Sequence, residues 1–234
     1  MAEPIRHREV SRIEGFSDAV FGFALTLLVV SLETPDSFDE LKAQMTGFVP
    51  FALMFAMVCW IWYEHNVFFR AYGLQDPWTV FLNCVLLFVV LFYVYPLKFL
   101  TGALMNEFFG IGSDAGPHFT EKSDGPTLML LYSTGVVLIF FVFVMLYRHA
   151  WKKRELLGLT RREELSLKFG QRAHLISMSL GLTSLAIVLA IMGVDPELTG
   201  IAGMVYMLMG PLHAWNGYQS GKAHSDFDKR AQGT

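Results

Sequence analysis

Ser11-Arg-Ile-Glu-Gly-Phe-Ser-Asp18-Ala-Val-Phe-Gly-Phe23-Ala-Leu-Thr26-Leu-Leu-Val-Val30-Ser-Leu-Glu-Thr-Pro35 is the stretch on which the reading of this chain turns. Its uninterrupted apolar part, Ala19 to Leu32, would reach only about 21 Å as a helix. A hydrocarbon core is about 30 Å thick. Ser11 and Glu14, however, have the spacing of a capping box, in which each side chain satisfies a backbone N–H of the other. That box starts the helix at Arg12. Run from 12 to 33, the helix is about 33 Å long and spans the core, carrying Asp18 into the inner part of the bilayer.

The rest of the chain has the composition this demands. Of its 234 residues, 53% are hydrophobic and 15% aromatic, while only 17% are charged; a soluble domain carries about a quarter charged residues. The mean hydropathy is +0.42. A soluble globule, a disordered chain and a disulfide scaffold are all excluded, the last because Cys59 and Cys84 both lie inside apolar runs. A net charge of −3 gives no footprint for nucleic acid. Six apolar stretches, 13–33, 46–68, 78–101, 127–147, 173–193 and 198–218, are each near the ~20 residues of a span. Thr34-Pro35-Asp36, Asp76-Pro77, the Gly/Asp/Pro-rich segment 110–126 and Asp195-Pro196 punctuate them. No small-residue cleavage site follows the first run, which reads as a retained helix.

Basic residues set the topology, because Lys and Arg stay on the cytoplasmic side. With the N-terminus inside, 15 of the 18 fall there, leaving only Lys42, Lys98 and Lys122 outside. The expectation is an all-α integral membrane protein, one domain over 1–234, with six transmembrane helices and both termini cytoplasmic. The basic connection 148–172 contains Thr160-Arg-Arg-Glu163, a second helix-start pattern, and reads as a solvated cytoplasmic helix facing anionic head groups.

Asp18 is the unusual chemistry. An unpaired acid inside a bilayer costs about 2.5–3.5 kcal/mol on insertion scales. Arg12 projects about 120° away on the same helix and is a poor partner. His65 and Asn83 lie at similar depth on the second and third spans, so a cluster of Asp18, His65 and Asn83, joined by Ser17, is expected. It serves either as glue between helices or as a proton or ion site. Glue is favoured, because Asp18 projects away from an apolar stripe formed by Phe16, Ala19, Phe23, Thr26, Leu27 and Val30, all within about 60° of Phe23. Gly15, Ala19 and Gly22 add a small-residue face suited to close helix packing.

The segment Arg12-Ile-Glu-Gly-Phe16-Ser17-Asp18 resembles the R-x-x-x-F-S-D signature of the transmembrane-protein-175 family of potassium channels. Trp62-Tyr-Glu-His65 followed by Phe69 is similar to the W-x-x-H-x-x-x-F element of that family's second helix, Asn83 to its third-helix asparagine and Tyr95-Pro96 to its late proline. After about residue 102 the likeness is one of topology. Six spans with both ends inside match the single-repeat prokaryotic members. The resemblance implies a homotetramer in a prokaryotic cell membrane, with the first helix of each subunit lining a central pore that has no carbonyl filter. It implies a constriction at Phe23, Leu27 and Val30, a hydroxyl ring at Thr26, and a network of Arg12, Phe16, Ser17, Asp18, His65 and Asn83 holding the pore helices. Potassium would be the permeant ion, with no cofactor and no partner but further copies of the chain and lipid. Phe23 departs from the family pattern, which has Ile or Leu there, and four phenyl rings could close the pore more tightly.

Two other classes compete. A membrane-bound metal or haem enzyme would need a ligand set, but His65, His174 and His213 do not form a compact motif and read as interfacial anchors. A secondary transporter would show an inverted repeat or a pair of broken helices, and neither is evident.

Overall fold

The computed structural model describes residues 9–30, 36–46, 48–109, 124–192 and 198–232, and among them the regular structure is entirely helical. The elements are α1 (Arg12–Val30), α2 (Phe38–Thr46), α3 (Phe48–Tyr72), α4 (Pro77–Phe109), α5 (Asp124–Lys152), α6 (Arg161–Ile191), α7 (Thr199–Met204), a 3-10 segment at Val205–Leu208 and α8 (Met209–Gln232). Four described helical stretches are long and apolar enough to cross a membrane, Phe51–Tyr72, Pro77–Ala103, Asp124–Lys152 and Arg161–Ile191. This is a multi-pass membrane architecture. Residues 31–33 of the expected first span and 193 of the fifth lie outside the described residues.

Local chemistry explains the boundaries. The Gly73 N–H bonds to the Phe69 carbonyl at 2.8 Å with φ at 56°, a left-handed cap that ends α3. Three residues later Asp76 caps α4, its carbonyl accepting from Val80 N–H at 3.0 Å, and Pro77 takes the first helical position, where its missing N–H costs nothing. Gly158, at φ 57°, turns the chain between α5 and α6.

Two expectations need correction. The connection 148–172 is not a separate helix. Its first residues finish α5, and Thr160, whose capping box with Glu163 is fully formed, starts a single 31-residue helix, α6, that continues through the fifth apolar stretch. No breaker separates Arg161 from that stretch, so the helix has no reason to stop. The sixth stretch, 198–218, is broken where continuity was expected. Pro211 cannot donate to the carbonyl of Met207 and its ring crowds that turn, so the chain tightens into the 3-10 segment before α8 resumes and runs on to Gln232.

One apolar core joins α1, α3, α4 and α5. Phe21, Ala24 and Leu28 pack with Val58, Phe68 and Phe69, with Leu86 and Val90, and with Phe143 and Leu146. A smaller cluster of Met129, Val188 and Ala202 closes the far end between α5, α6 and α7. Beside it, Ser133 and Ser184 share a 2.9 Å hydrogen bond and Tyr206 donates to Ser133 at 3.0 Å. In the membrane such bonds join helices for which lipid offers no polar substitute.

Asp76 ties the α3–α4 turn to the end of α5. Its carboxylate accepts from Thr79 Oγ1 at 2.8 Å and His149 Nε2 at 3.0 Å, and Lys153 Nζ lies 3.1 Å away. Burial pushes this carboxyl up, but the bonds from Thr79, His149 and Lys153 overcome that and hold it well below the usual carboxylate range. A depressed folded-state pKa contributes stability that is complete above the unfolded value of about 3.9 and fades as pH falls below it. Unfolding in detergent should therefore be insensitive to Asp76 protonation from neutral pH to about 5 and lose stability below about 4. Asp76→Asn should lower stability at pH 7 by about 1–3 kcal/mol and flatten the acid decline. An equal acid decline in the variant would assign it to other carboxylates.

Candidate functional site

The expected capping box is present at the start of α1. Ser11 N–H and Oγ both donate to Glu14 Oε2, at 2.9 and 2.6 Å, and Glu14 N–H returns to Ser11 Oγ at 3.3 Å. Glu14 is buried by this arrangement. The helix consequently begins at Arg12, which puts Ser17 and Asp18 in its second turn.

Ser17, Asn83 and His65 meet at the junction of α1, α3 and α4, all almost completely buried. Asn83 Nδ2 donates to Ser17 Oγ at 2.9 Å, while Asn83 Oδ1 stands 2.8 Å from His65 Nε2. Since that oxygen can only accept, Nε2 must be the protonated ring nitrogen. Ser17 Oγ donates to the Ile13 carbonyl at 2.8 Å, one turn back, in preference to the longer 3.3 Å contact with Asn83 Oδ1. Phe21 and Phe69 flank the imidazole at ring-centroid distances of 5.7 and 4.4 Å. The three side chains form an interhelical lock, with Asn83 bridging Ser17 and His65.

Asp18 stands outside it. Its carboxylate accepts from Trp62 Nε1 at 2.7 Å, and both side chains are exposed on the subunit. The physical reason is angular: Ser17 and Asp18 project about 100° apart, so when Ser17 faces Asn83, Asp18 is turned to the flank, where α3 presents Trp62. The signal for this pair was in the sequence, because Trp62 and His65 are one helical turn apart and so share a face.

The faces of α1 are sharply sorted. Glu14, Ser17, Phe21, Ala24 and Leu28, spaced three or four apart, are buried against the subunit's own core. Phe16, Ala19, Phe23 and Thr26 lie on the opposite side and are exposed; Phe16 and Phe23 each keep 57% of their surface. Leu27 is half-buried at the edge of that stripe, and the Val30 side chain lies outside the described ones. Thr26 Oγ1 donates to the Gly22 carbonyl at 2.9 Å, so its hydrogen is used within the helix and its oxygen remains an acceptor. Gly15 and Gly22 have no other atom of the subunit within 4 Å of where a Cβ would stand. Arg12 is exposed at the end of the same side.

The two other histidines weighed above both make contacts within the helix bundle. His174 is buried on α6, stacked on Phe143 at 4.7 Å, with its Nε2 3.7 Å from Glu64 Oε2. His213 Nε2 bonds Ser177 Oγ at 2.8 Å. No group of three or more His, Cys, Asp or Glu able to hold a metal occurs among the described residues.

Known proteins are similar to this chain. A family model described as endosomal/lysosomal potassium channel TMEM175 matches residues 12–93, which open at the first residue of α1 and take in every member of the lock. A protein named potassium channel from Marivirga tractuosa is 42% identical over 216 residues, 88% of this chain and 86% of that one. A second, named potassium channel Cha6605_3372, from Chamaesiphon minutus, is 25% identical over 198 residues, 79% of this chain and 90% of the relative. Among solved structures, a crystal structure of a variant of the potassium channel MtTMEM175, in complex with a Nanobody-MBP fusion protein, aligns with a TM-score of 0.83. It is 39% identical and covers 94% of this chain and 97% of the other.

The lock and the flank pair should respond differently to substitution. Asn83→Leu strands the His65 Nε2–H and removes the donor to Ser17, at about 1–3 kcal/mol for each buried group left unsatisfied. Asp18→Ala breaks a bond between exposed side chains and should cost well under half as much in subunit stability. Thermal unfolding of both variants in detergent checks the order; the reverse order would place the structural lock at Asp18.

Proposed function

Because the chain belongs to the TMEM175 family of potassium channels, we propose that it forms a potassium-permeable channel in which four subunits surround an axis and α1 of each faces it. The observation that carries this reading is the division of α1. One face is committed to the subunit's own core, and the other, Phe16, Ala19, Phe23 and Thr26, is left uncovered on a helix that also bears Arg12, Glu14 and Asp18. Charged residues on a membrane helix are costly toward lipid and belong at an assembly's interior or a water-filled path. A single subunit cannot enclose such a path with one helix; several copies can.

On this reading the narrowest part lies at Phe23, Leu27 and Val30, and Thr26 supplies a ring of oxygen acceptors between apolar rings. An apolar ring gives an ion nothing in place of its hydration shell, so it gates by excluding water. The lock of Ser17, Asn83 and His65, with Arg12, Phe16 and Asp18 around it, sets the angle at which α1 presents that stripe. Residues 1–234 act as one channel domain with six spans, α1 the first and the broken α7–α8 pair the last. Both termini face the cytoplasm of a prokaryotic cell, as the basic residues require. The member of such a family is a channel and not an enzyme, and potassium is its permeant species, without a cofactor.

Two sets of variants test this in liposomes with potassium and sodium gradients. Phe23→Ala should widen and wet the constriction, raising flux several-fold and reducing discrimination between the ions, whereas Thr26→Val keeps the shape but removes the oxygens and should lower potassium preference with the gate intact. Unchanged flux in Phe23→Ala, with opening produced by a substitution on another helix, would take the gate away from α1. The second set concerns assembly. A Cβ at Gly22 meets nothing within 4 Å outside its own helix turn, so Gly22→Leu should leave each subunit folded while shifting the tetramer toward smaller species in detergent. A tetramer unaffected by that change would place the subunit contact elsewhere.

A further inference from the structure

Of the eight basic residues between 148 and 172, four are answered by an acid. Lys153 Nζ lies 3.1 Å from Asp76 and Arg162 Nη1 3.6 Å from Asp228. Arg154 reaches Glu155 at 3.2 Å and Glu164 at 3.7 Å, and Arg161 meets the same Glu164 at 3.3 Å. Two cations on α6 have no such answer. Among the described residues, Lys168 and Arg172 meet no carboxylate and donate no hydrogen bond; each lies over a tryptophan instead. Lys168 Nζ is 4.7 Å from the Trp151 ring centroid, and Arg172 Cζ is 4.5 Å from that of Trp215.

The helix geometry places this pair. Four residues apart, Lys168 and Arg172 share one face of α6 and are separated by about 6 Å along its axis. The face is the outer one. Leu167, His174, Ser177 and Val188 turn inward and are buried, whereas Leu175, Leu182 and Leu189 follow Lys168 at seven-residue spacing and are exposed by 38, 45 and 61%. Because α6 packs against α5 and the α7–α8 region while α1 packs against α3 and α4, this face looks toward lipid when α1 faces the axis. Its depth is fixed three times over. Arg172 immediately precedes the fifth apolar stretch, Trp215 lies in the last turn of the sixth, and Trp151 stands four residues past the fourth. All three belong at the cytoplasmic boundary, where tryptophan concentrates.

A ring face steadies a cation but takes none of its hydrogens. The ammonium therefore keeps three N–H donors and the guanidinium five, with no acceptor in the subunit. An occupant has to bring oxygens and negative charge at head-group depth, and apolar chains to lie along Leu175, Leu182 and Leu189. A phosphodiester meets the first demand, since a guanidinium fork binds two of its oxygens and an ammonium adds a point charge. Acyl chains meet the second. The head group should carry no amine, because the acid one turn before Lys168, Glu164, is taken up by Arg154 and Arg161 and would leave an ammonium facing two cations. We propose that Lys168 and Arg172, framed by Trp151 and Trp215, form a binding site in the cytoplasmic leaflet for an anionic phospholipid of the phosphatidylglycerol type. It is a site on one helix face and not the diffuse pull of the whole basic end.

Native mass spectrometry of the intact protein tests it, with phosphatidylglycerol and phosphatidylcholine of the same acyl chains in competition. One phosphatidylglycerol per subunit should be held about 25-fold more tightly than phosphatidylcholine, about fivefold for each cation at the membrane surface. Lys168→Gln should lose about fivefold of that preference, and Lys168→Gln with Arg172→Gln nearly all of it. Lys168 is exposed, so its single variant carries the test if the double variant has a lowered unfolding temperature. Arg70→Gln with Lys152→Gln makes the same charge change at the same end of the bundle, on exposed residues of α3 and α5, and should leave the preference within about twofold. Equal affinity for the two lipids, a preference unchanged in Lys168→Gln, or an equal loss from the control pair would overturn the proposal. So would displacement of the lipid by soluble glycerophosphate, which would assign the pair to a free phosphoester. These readouts count bound lipid and not ion flux, so their failure is distinguishable from failure of the channel reading.

Discussion

A membrane interior removes the competition of water, and this chain uses that at one point above all, the hydrogen bonds among Ser17, Asn83 and His65. Each residue comes from a different helix, so the two bonds specify where α1 sits, at what depth and with which face inward. Apolar packing by Phe21, Ala24 and Leu28 contributes attraction but little register, because a Leu or Phe is accommodated nearly as well by lipid or by a neighbouring groove one turn away. An amide facing an imidazole has no such tolerance. A rotation of α1 by one residue, about 100°, would carry Ser17 away from Asn83 and break the bond that joins the two helices.

The same rotation argument orders the rest of the helix. Once Ser17 is fixed inward, Phe16, Ala19, Phe23 and Thr26 are necessarily outward, and Asp18 is carried to the flank where Trp62 meets it. On the other side of the molecule the long α6, running from a capped start at Thr160 to Ile191, gives Glu64 of α3 its facing wall through His174 and borders a cavity that opens beside it.

Much of this was legible in the sequence, for reasons specific to each element. The two capping boxes, Ser11–Glu14 and Thr160–Glu163, are local, and local hydrogen bonding is decided by spacing alone. His65 and Asn83 could be paired because membrane depth restricts a residue to one coordinate before any fold is known. Which of the two polar residues after Phe16 would join them could not be read the same way: Ser17 and Asp18 share a depth and differ chiefly in azimuth, and azimuth is set by packing across three helices. The short α2 escaped notice because Phe38–Thr46 has no continuous apolar run. The interruption before Pro211 was marked by that proline, yet an apolar stretch of span length masked it, since hydropathy counts side chains and is blind to a missing N–H. The cavity between α3, α6 and α8 draws on residues more than 150 positions apart, Glu64 and Asn216 among them, and no pattern along the chain announces such a meeting.

The separation of the two faces of α1 also bears on how such proteins diverge. Substitutions that share no neighbours add independently, and Phe23 is exposed on the subunit and outside the lock, whereas Ser17 is buried and bonded to Asn83. Change on the outward stripe is therefore free of a folding penalty, so descendants of one ancestor can carry an aliphatic or an aromatic side chain there without rebuilding the scaffold. Variation should accumulate at that stripe in lineages with different ionic environments, while the inward positions drift only in company. A single helix thus carries two mutational clocks, one for the frame and one for the surface it presents.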